Sequence, residues 1–346
     1  MRFLLDAEQR EFARSLDGLL TSCDTPAAIR SWTAGDHAPG RAVWTRLAGA
    51  GVFALAVPER YDGFGFLPLE LSVAFTELGR HAVPGPLVET VAAAALLDRL
   101  SGLGGLGGPG GPGGLNGRGE GHAADAHLPG IAAGKTVASL CLTGLGPYAL
   151  DADAADVVFV VDGDVLRVTG ETGPVQASAD PGRRLSRASG GTVLAQGPTV
   201  TAAAAYAADV AALATAAQAL GVGRALLTRT VEYVKQRTQF GVAIGSFQAV
   251  KHRLADTLVA LEFAEPLVHG AALALAAGSP QAGREVAAAK VTAGEAAHRA
   301  ARTALQLHGA VGYTDELDLS LWIRKTRPLR DAWGTPAACR ARVLAA

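Results

Sequence analysis

Residues 237–256 read Arg237-Thr-Gln239-Phe240-Gly241-Val-Ala-Ile244-Gly-Ser-Phe247-Gln248-Ala-Val-Lys-His252-Arg-Leu254-Ala255-Asp256. They join two long Ala/Leu-rich segments, Ala202–Lys235 and Ser246–Ala277, which carry few helix breakers. Two more such segments follow, Pro280–Gly309 and Leu317–Arg330. Four long helices joined by short glycine-bearing connections predict an up-and-down bundle over residues 201–346. Toward the N-terminus, residues 131–200 change texture. Thr136–Leu142 and Val157–Val161 are short β-rich runs, and Asp162-Gly163 followed by the alternating Asp164–Val168 is a hairpin signal. Thr192–Ala195 completes a small sheet. Residues 1–101 return to helical spacing, through Phe3, Leu4, Phe12, Leu16, Leu19 and Leu20, then Trp44, Leu47, Ala48 and Val52. Further helices are expected at Leu69–Arg80 and Leu87–Leu100.

Between the first two regions lies GLGGLGGPGGPGGLNGRG, residues 102–119. It loosely fits the GxGxxG pattern of a nucleotide loop, but no strand precedes it and no helix start follows at the required place. It reads as a flexible surface insertion, taken here to span 102–130. The expected fold class is therefore α+β: an N-terminal helical domain (1–101), the insertion, a shortened β domain (131–200) of barrel or sandwich type, and a C-terminal four-helix bundle.

Composition bounds the function. The 346 residues carry 31 Lys+Arg against 32 Asp+Glu, a balance that argues against a nucleic-acid partner. At 49% hydrophobic residues and net charge −1 the chain is too apolar to be disordered over most of its length. No uninterrupted apolar run reaches the ~20 residues of a membrane span, and acids occur where a signal peptide needs an apolar stretch. Cys23, Cys141 and Cys339 are odd in number and far apart, which suits neither a disulfide framework nor a metal site. These features predict a cytoplasmic, reducing-compartment, multidomain protein without metal.

The 237–256 stretch resembles the RxQFGxxIxxFQxxxHxLAD signature of the acyl-CoA dehydrogenase family. Gln306-Leu-His308-Gly309-Ala-Val-Gly312-Tyr313-Thr-Asp-Glu316 resembles that family's QxxGGxGYxxE element. Val57-Pro58-Glu59-Arg-Tyr61-Asp-Gly63-Phe-Gly65, with Glu77-Leu78-Gly79-Arg80 downstream, resembles its VPExYGGxG loop and ELGR helix. The resemblance implies FAD as cofactor, an acyl-CoA thioester as substrate and an electron-transfer flavoprotein as electron acceptor. It assigns cofactor contacts to Arg237, Gln239, Phe240, Phe247, Gln248, Gln306 and Gly309, which suit FAD chemically. A guanidinium matches the pyrophosphate, an aromatic ring covers a ring system, amides bond ribose or phosphate oxygens, and a helix end with glycine admits a phosphate. In the family the second element reaches the FAD of a neighbouring subunit, which implies at least a dimer.

The family's base is not found. A carboxylate must take the α-proton while the β-hydride goes to flavin N5. Its usual place, in an EGT triplet 27 residues after the motif glutamine, falls on Trp333 of a Trp333-Gly334-Thr335 triplet. An indole has no acceptor for that proton. The nearest acid is Asp331. The alternative location, 26 residues before Arg237, is Ala211, and neighbouring Asp209 reads as a solvated helix-surface aspartate. The loop expected to touch flavin, Leu142–Tyr148, also lacks the family's acid-Ser-Asp pattern. The resemblance thus implies a base-lacking subunit of an α2β2 acyl-CoA dehydrogenase of lipid or steroid catabolism, completing the FAD site of a catalytic partner. Two alternatives stay open: a homo-oligomeric enzyme using Asp331 or Asp209, and a flavin-free scaffold.

Overall fold

The computed structural model describes residues 4–104 and 120–345. Helix starts in the first hundred residues follow from side chains that replace missing backbone acceptors. Asp6 accepts from the Gln9 N–H, and Gln9 reaches back to the Asp6 N–H, opening α1 (Ala7–Thr21) with a capping box. Asp24 caps α2 (Thr25–Thr33) through the Ala27 N–H. Next come α3 (Ala38–Gly49), α4 (Pro68–Arg80) and α5 (Leu87–Gly104). All residues of α5 from Leu87 to Leu97 are buried, so it is a core helix rather than an amphipathic one. One departure from expectation concerns the insertion. Its last part belongs to helix α6 (Glu120–Ala132), whose Ala124, Leu128 and Ile131 are buried against the N-terminal helices. The glycine–proline run of 105–119 lies outside the described residues.

The β region holds β1 (Ala138–Leu142), β2 (Tyr148–Leu150), β3 (Val157–Asp162), β4 (Val165–Thr169), β5 (Leu185–Arg187) and β6 (Thr192–Gln196). The main sheet has the order β1-β3-β4-β6, with β1 and β3 parallel and the other pairs antiparallel; β2 and β5 form a separate pair. The expected hairpin is β3–β4, turning at Gly163 with φ 59°. β1 is buried on both faces because α5 covers one of them, where the Thr90 hydroxyl donates to the Ala138 carbonyl at 2.7 Å.

The bundle consists of α7 (Pro198–Gln236), α8 (Gln248–Ala276), α9 (Ala282–His308) and α10 (Leu319–Asp331). A fifth, shorter helix that the sequence reading did not separate, α11 (Pro336–Leu344), is capped by the Thr335 hydroxyl. Small residues set the helix spacing. A Cβ on Gly79 of α4 would stand 2.0 Å from the Gln218 carbonyl oxygen of α7, and one on Gly221 would stand 1.8 Å from that of Thr76. One apolar core consequently runs from Leu16 through the sheet to Ala296. α7 and α8 each contain a window of mean hydropathy 1.5, long and apolar enough to cross a membrane by composition alone. In α7, 89% of that window is buried within the protein, and in α8 50%.

Candidate functional site

The quoted motif becomes a projecting arm. α7 stops at Gln236, and Arg237 turns extended. Two-residue strands β7 (Thr238–Gln239) and β8 (Val242–Ala243) then pair around Phe240 and Gly241, both left-handed at φ 56° and 80°. That is the backbone of a tight hairpin, and Phe240 is a poor residue for it, costing on the order of 1 kcal/mol. The ring is also 92% exposed, with only an edge-to-face contact to Phe247 at 6.3 Å. A strained, exposed aromatic ring contributes nothing to the stability of its own chain. Arg237, Gln239 and Gln248 are exposed too, and Arg237 enters no ion pair among the described residues.

The second motif meets the first at the same end of the bundle. Gly309 ends α9 with φ 65°, and His308 just before it stacks on Tyr233, one turn ahead of Arg237, with ring centroids 4.0 Å apart. The His308 Nδ1 lies 2.8 Å from the Ala304 carbonyl oxygen, which fixes the ring. Gln306 and Gly309 are exposed beside this stack. The structure therefore brings all seven cofactor candidates to one bundle end.

Trp333 belongs to a different place. Lys290, buried in α9, donates to the carbonyls of Leu329 (3.0 Å), Arg330 (2.9 Å) and Gly334 (3.3 Å), which pins the turn after α10. Burial lowers its pKa to about 8. In that turn Trp333 has φ 55°, and its indole N–H donates to Glu89 Oε1 at 3.1 Å. Glu89 is 2% exposed, its Oε2 has no partner among the described residues, and burial raises its pKa against the opposing pull of Arg183. The pair borders a cavity of about 270 Å³ walled by Leu140, Leu142, Leu145, Tyr148 and Arg183. The loop singled out at Leu142–Tyr148 thus does face this cavity. Glu89 was missed by sequence reasoning; the available signal was a lone acid inside the apolar helix LVETVAAAALL.

Neither acid proposed as a base borders this cavity. Asp331 is exposed at the end of α10. Asp209 is not the solvated surface residue expected: it is 9% exposed and held by Arg342 of α11 through two bonds, one of them 2.9 Å. It borders a separate cavity of about 770 Å³ with Arg99, Tyr206 and Arg284. The reason is tertiary, since α11 was not foreseen and its arginine covers the aspartate.

An N-terminal helical unit, a small sheet and a bundle in this order superpose on butyryl-CoA dehydrogenase from Megasphaera elsdenii with TM-score 0.82, at 20% identity over 100% of this chain and 99% of that one. The ChsE4–ChsE5 complex of Mycobacterium tuberculosis gives 0.79 at 22% identity, covering 100% and 98%. These likenesses define the fold as that of the acyl-CoA dehydrogenases. In sequence, residues 6–101 match the acyl-CoA dehydrogenase N-terminal domain and 201–346 the C-terminal domain. Acyl-CoA dehydrogenase IpdE2 of Mycobacterium tuberculosis (strain ATCC 25618 / H37Rv) is 33% identical over 325 residues, 92% of this chain and 91% of the relative. The chain belongs to the acyl-CoA dehydrogenase family.

FAD is the cofactor of this family. The arm fits it: an unpaired guanidinium, an aromatic face and amides stand exposed and together. The Trp333 cavity is a separate space, lined by none of the arm residues.

Proposed function

We propose that this chain is the base-lacking subunit of a heteromeric acyl-CoA dehydrogenase, lending its arm to a flavin site whose carboxylate comes from a catalytic partner. The observation that carries the reading is the split within the chain. Residues suited to gripping FAD are exposed at one bundle end, while the position of the expected base holds an indole bonded to a buried acid.

The reaction removes a proton from Cα and a hydride from Cβ of an acyl-CoA thioester. FAD, when bound, supplies the hydride acceptor. The roles of this chain are to bind and orient: Arg237 pairs with the pyrophosphate, Phe240 and Phe247 cover ring surface and exclude water, and Gln239, Gln248 and Gln306 bond polar oxygens. Trp333 moves no proton. The electron acceptor is an electron-transfer flavoprotein, the assembly α2β2, the setting a reducing cytoplasm, and the substrate an acyl-CoA of lipid or steroid catabolism.

A second reading has one observation in its favour. Glu89 places a carboxyl oxygen without a partner beside the cavity, so a single-chain enzyme could use it as base. Against that, Glu89 is held by Trp333 and biased toward its protonated form. One experiment separates the readings: purify the chain alone and co-expressed with a base-bearing acyl-CoA dehydrogenase from the same organism, then record the flavin spectrum and dye-coupled acyl-CoA oxidation. Colourless, inactive chain that becomes yellow and active with its partner is expected. Yellow, active single chain that loses turnover in Glu89→Gln would overturn the proposal in favour of the second reading.

A further inference from the structure

Three basic residues, Arg183, Arg184 and Lys325, meet where the β region packs on α10, and the fold supplies partners for two of them. Arg184 pairs with Asp153 at 2.7 Å, and Lys325 reaches buried Asp180 Oδ2 at 2.9 Å. Arg183 enters no ion pair, and its side chain makes no hydrogen bond, among the described residues. Its place is fixed all the same. Asp180 Oδ1 accepts the Gly182 N–H at 3.0 Å, and the Asp180 carbonyl accepts the Arg183 N–H at 3.0 Å. A tight turn anchored by Asp180 thus presents half-buried Arg183 to the Trp333 cavity.

That cavity, about 270 Å³, joins an apolar body to a polar end. Leu140, Leu142, Leu150, Leu185 and Trp333 wall the body, while Leu145 and Tyr148, 56% and 38% exposed, mark its open side. Glu89 and Arg183 also border one void of about 10 Å³, so both lie at the same end of the cavity. Glu89 gives one oxygen to the Trp333 indole, and its Oε2 is buried without a partner among the described residues. Burial raises the pKa of Glu89 and of neighbouring Asp151, so neither is a ready counter-ion for Arg183. A guanidinium set against apolar walls without an anion is costly, and an anion from outside relieves that cost. Its fork matches the two oxygens of a carboxylate, a protonated Glu89 adds an O–H donor, and the leucines favour hydrocarbon. A thioester brings one carbonyl oxygen and no charge, which answers this polar end less well.

We propose that the Trp333 cavity binds a small free monocarboxylic acid, its carboxylate on Arg183 and Glu89 and its short hydrocarbon body against the leucines and the indole. Trp333 then serves as a wall of the site and as the group that holds Glu89 in place. The inference goes beyond the proposed subunit role, because this binding needs neither flavin nor partner chain.

The test is calorimetric titration of hexanoate, hexan-1-ol and hexanoyl-CoA into the full chain. Wild type is compared with Arg183→Gln and Arg183→Lys, with circular dichroism to verify folding. Hexanoate is expected to bind wild type at least tenfold more tightly than hexan-1-ol, to lose at least tenfold in Arg183→Gln, and to recover in Arg183→Lys. A second measurement needs no variant at position 183. Hexanoate should shift the indole N–H resonance of Trp333, assigned with Trp333→Phe, and leave that of Trp322, which donates to the Arg80 carbonyl, in place. No hexanoate binding, an unmoved Trp333 resonance, or equal affinity in folded Arg183→Gln overturns the site and leaves the subunit reading untouched. Displacement of hexanoate by hexanoyl-CoA overturns it as well, and counts against the subunit reading too, since the cavity would then be a thioester pocket.

Discussion

Asp151 and Glu89 share with Arg183 a void of about 10 Å³, roughly the space of one water. Each carboxyl has an oxygen without a partner among the described residues. Asp151 Oδ1 accepts the Arg184 N–H at 3.0 Å, yet burial still raises its pKa from 3.8 to about 7. The folded chain therefore keeps Asp151 protonated while the unfolded chain ionises it, so stability falls as pH rises from about 4 to about 7 and the loss is complete above that window. Asp151→Asn should match wild type at pH 4 and exceed it by up to about 4 kcal/mol at pH 8, as read from urea unfolding at the two pH values. Asparagine also suits the left-handed backbone there, φ 50°. Equal differences at both pH values would show that Asp151 ionises normally. None of this was visible in the sequence, where Asp151 and Glu89 look like ordinary acids; their environment is supplied by residues 183–184 and 333, far along the chain.

At the scale of elements, the turn between α10 and α11 depends on Lys290, which reaches across from α9 to three carbonyls. A cation at the end of α10 also meets the negative end of its dipole. Lys290→Met keeps the apolar stem and removes the donors, leaving those carbonyls unsatisfied in a buried site. The expected cost is about 2–4 kcal/mol, measured as a lowered urea midpoint at unchanged m-value. A change under about 0.5 kcal/mol would mean that the turn holds without the lysine. Long periodic elements were legible in advance: the helix expected over Leu69–Arg80 forms from Pro68, and the β3–β4 hairpin lies where Asp162-Gly163 signalled it. α11 was not, because Pro336 and the short span break the periodicity that identified the longer helices. Helix α6 was hidden for a related reason, since Gly121, Pro129 and Gly130 dilute its pattern and only burial against α5 makes it worthwhile.

For the whole molecule, the decisive contact is α4 against α7, which ties the N-terminal helices to the bundle. Gly221→Ala would force a methyl group to within 1.8 Å of the Thr76 carbonyl oxygen, where backbone rather than a flexible side chain must yield. We expect destabilisation of about 3 kcal/mol or more by urea denaturation. Gly18→Ala is the control: that glycine is exposed within α1 and a Cβ meets nothing within 4 Å, so a gain of about 0.5–1 kcal/mol from helix propensity is expected. Comparable effects at the two sites would remove the packing explanation.

By itself the amino-acid sequence determined the order of helical, β and bundle regions, because apolar periodicity and turn chemistry act over neighbouring residues. It also determined the family, because the two motifs keep their spacing along the chain. Only the tertiary structure decided what the motif residues face. It placed Arg237 and Phe240 outward, bonded Trp333 to Glu89, covered Asp209 with Arg342, and set Arg183 beside the Trp333 cavity. Those outcomes depend on which distant side chain occupies the same small volume, and on whether water is present to share it, which no local pattern encodes.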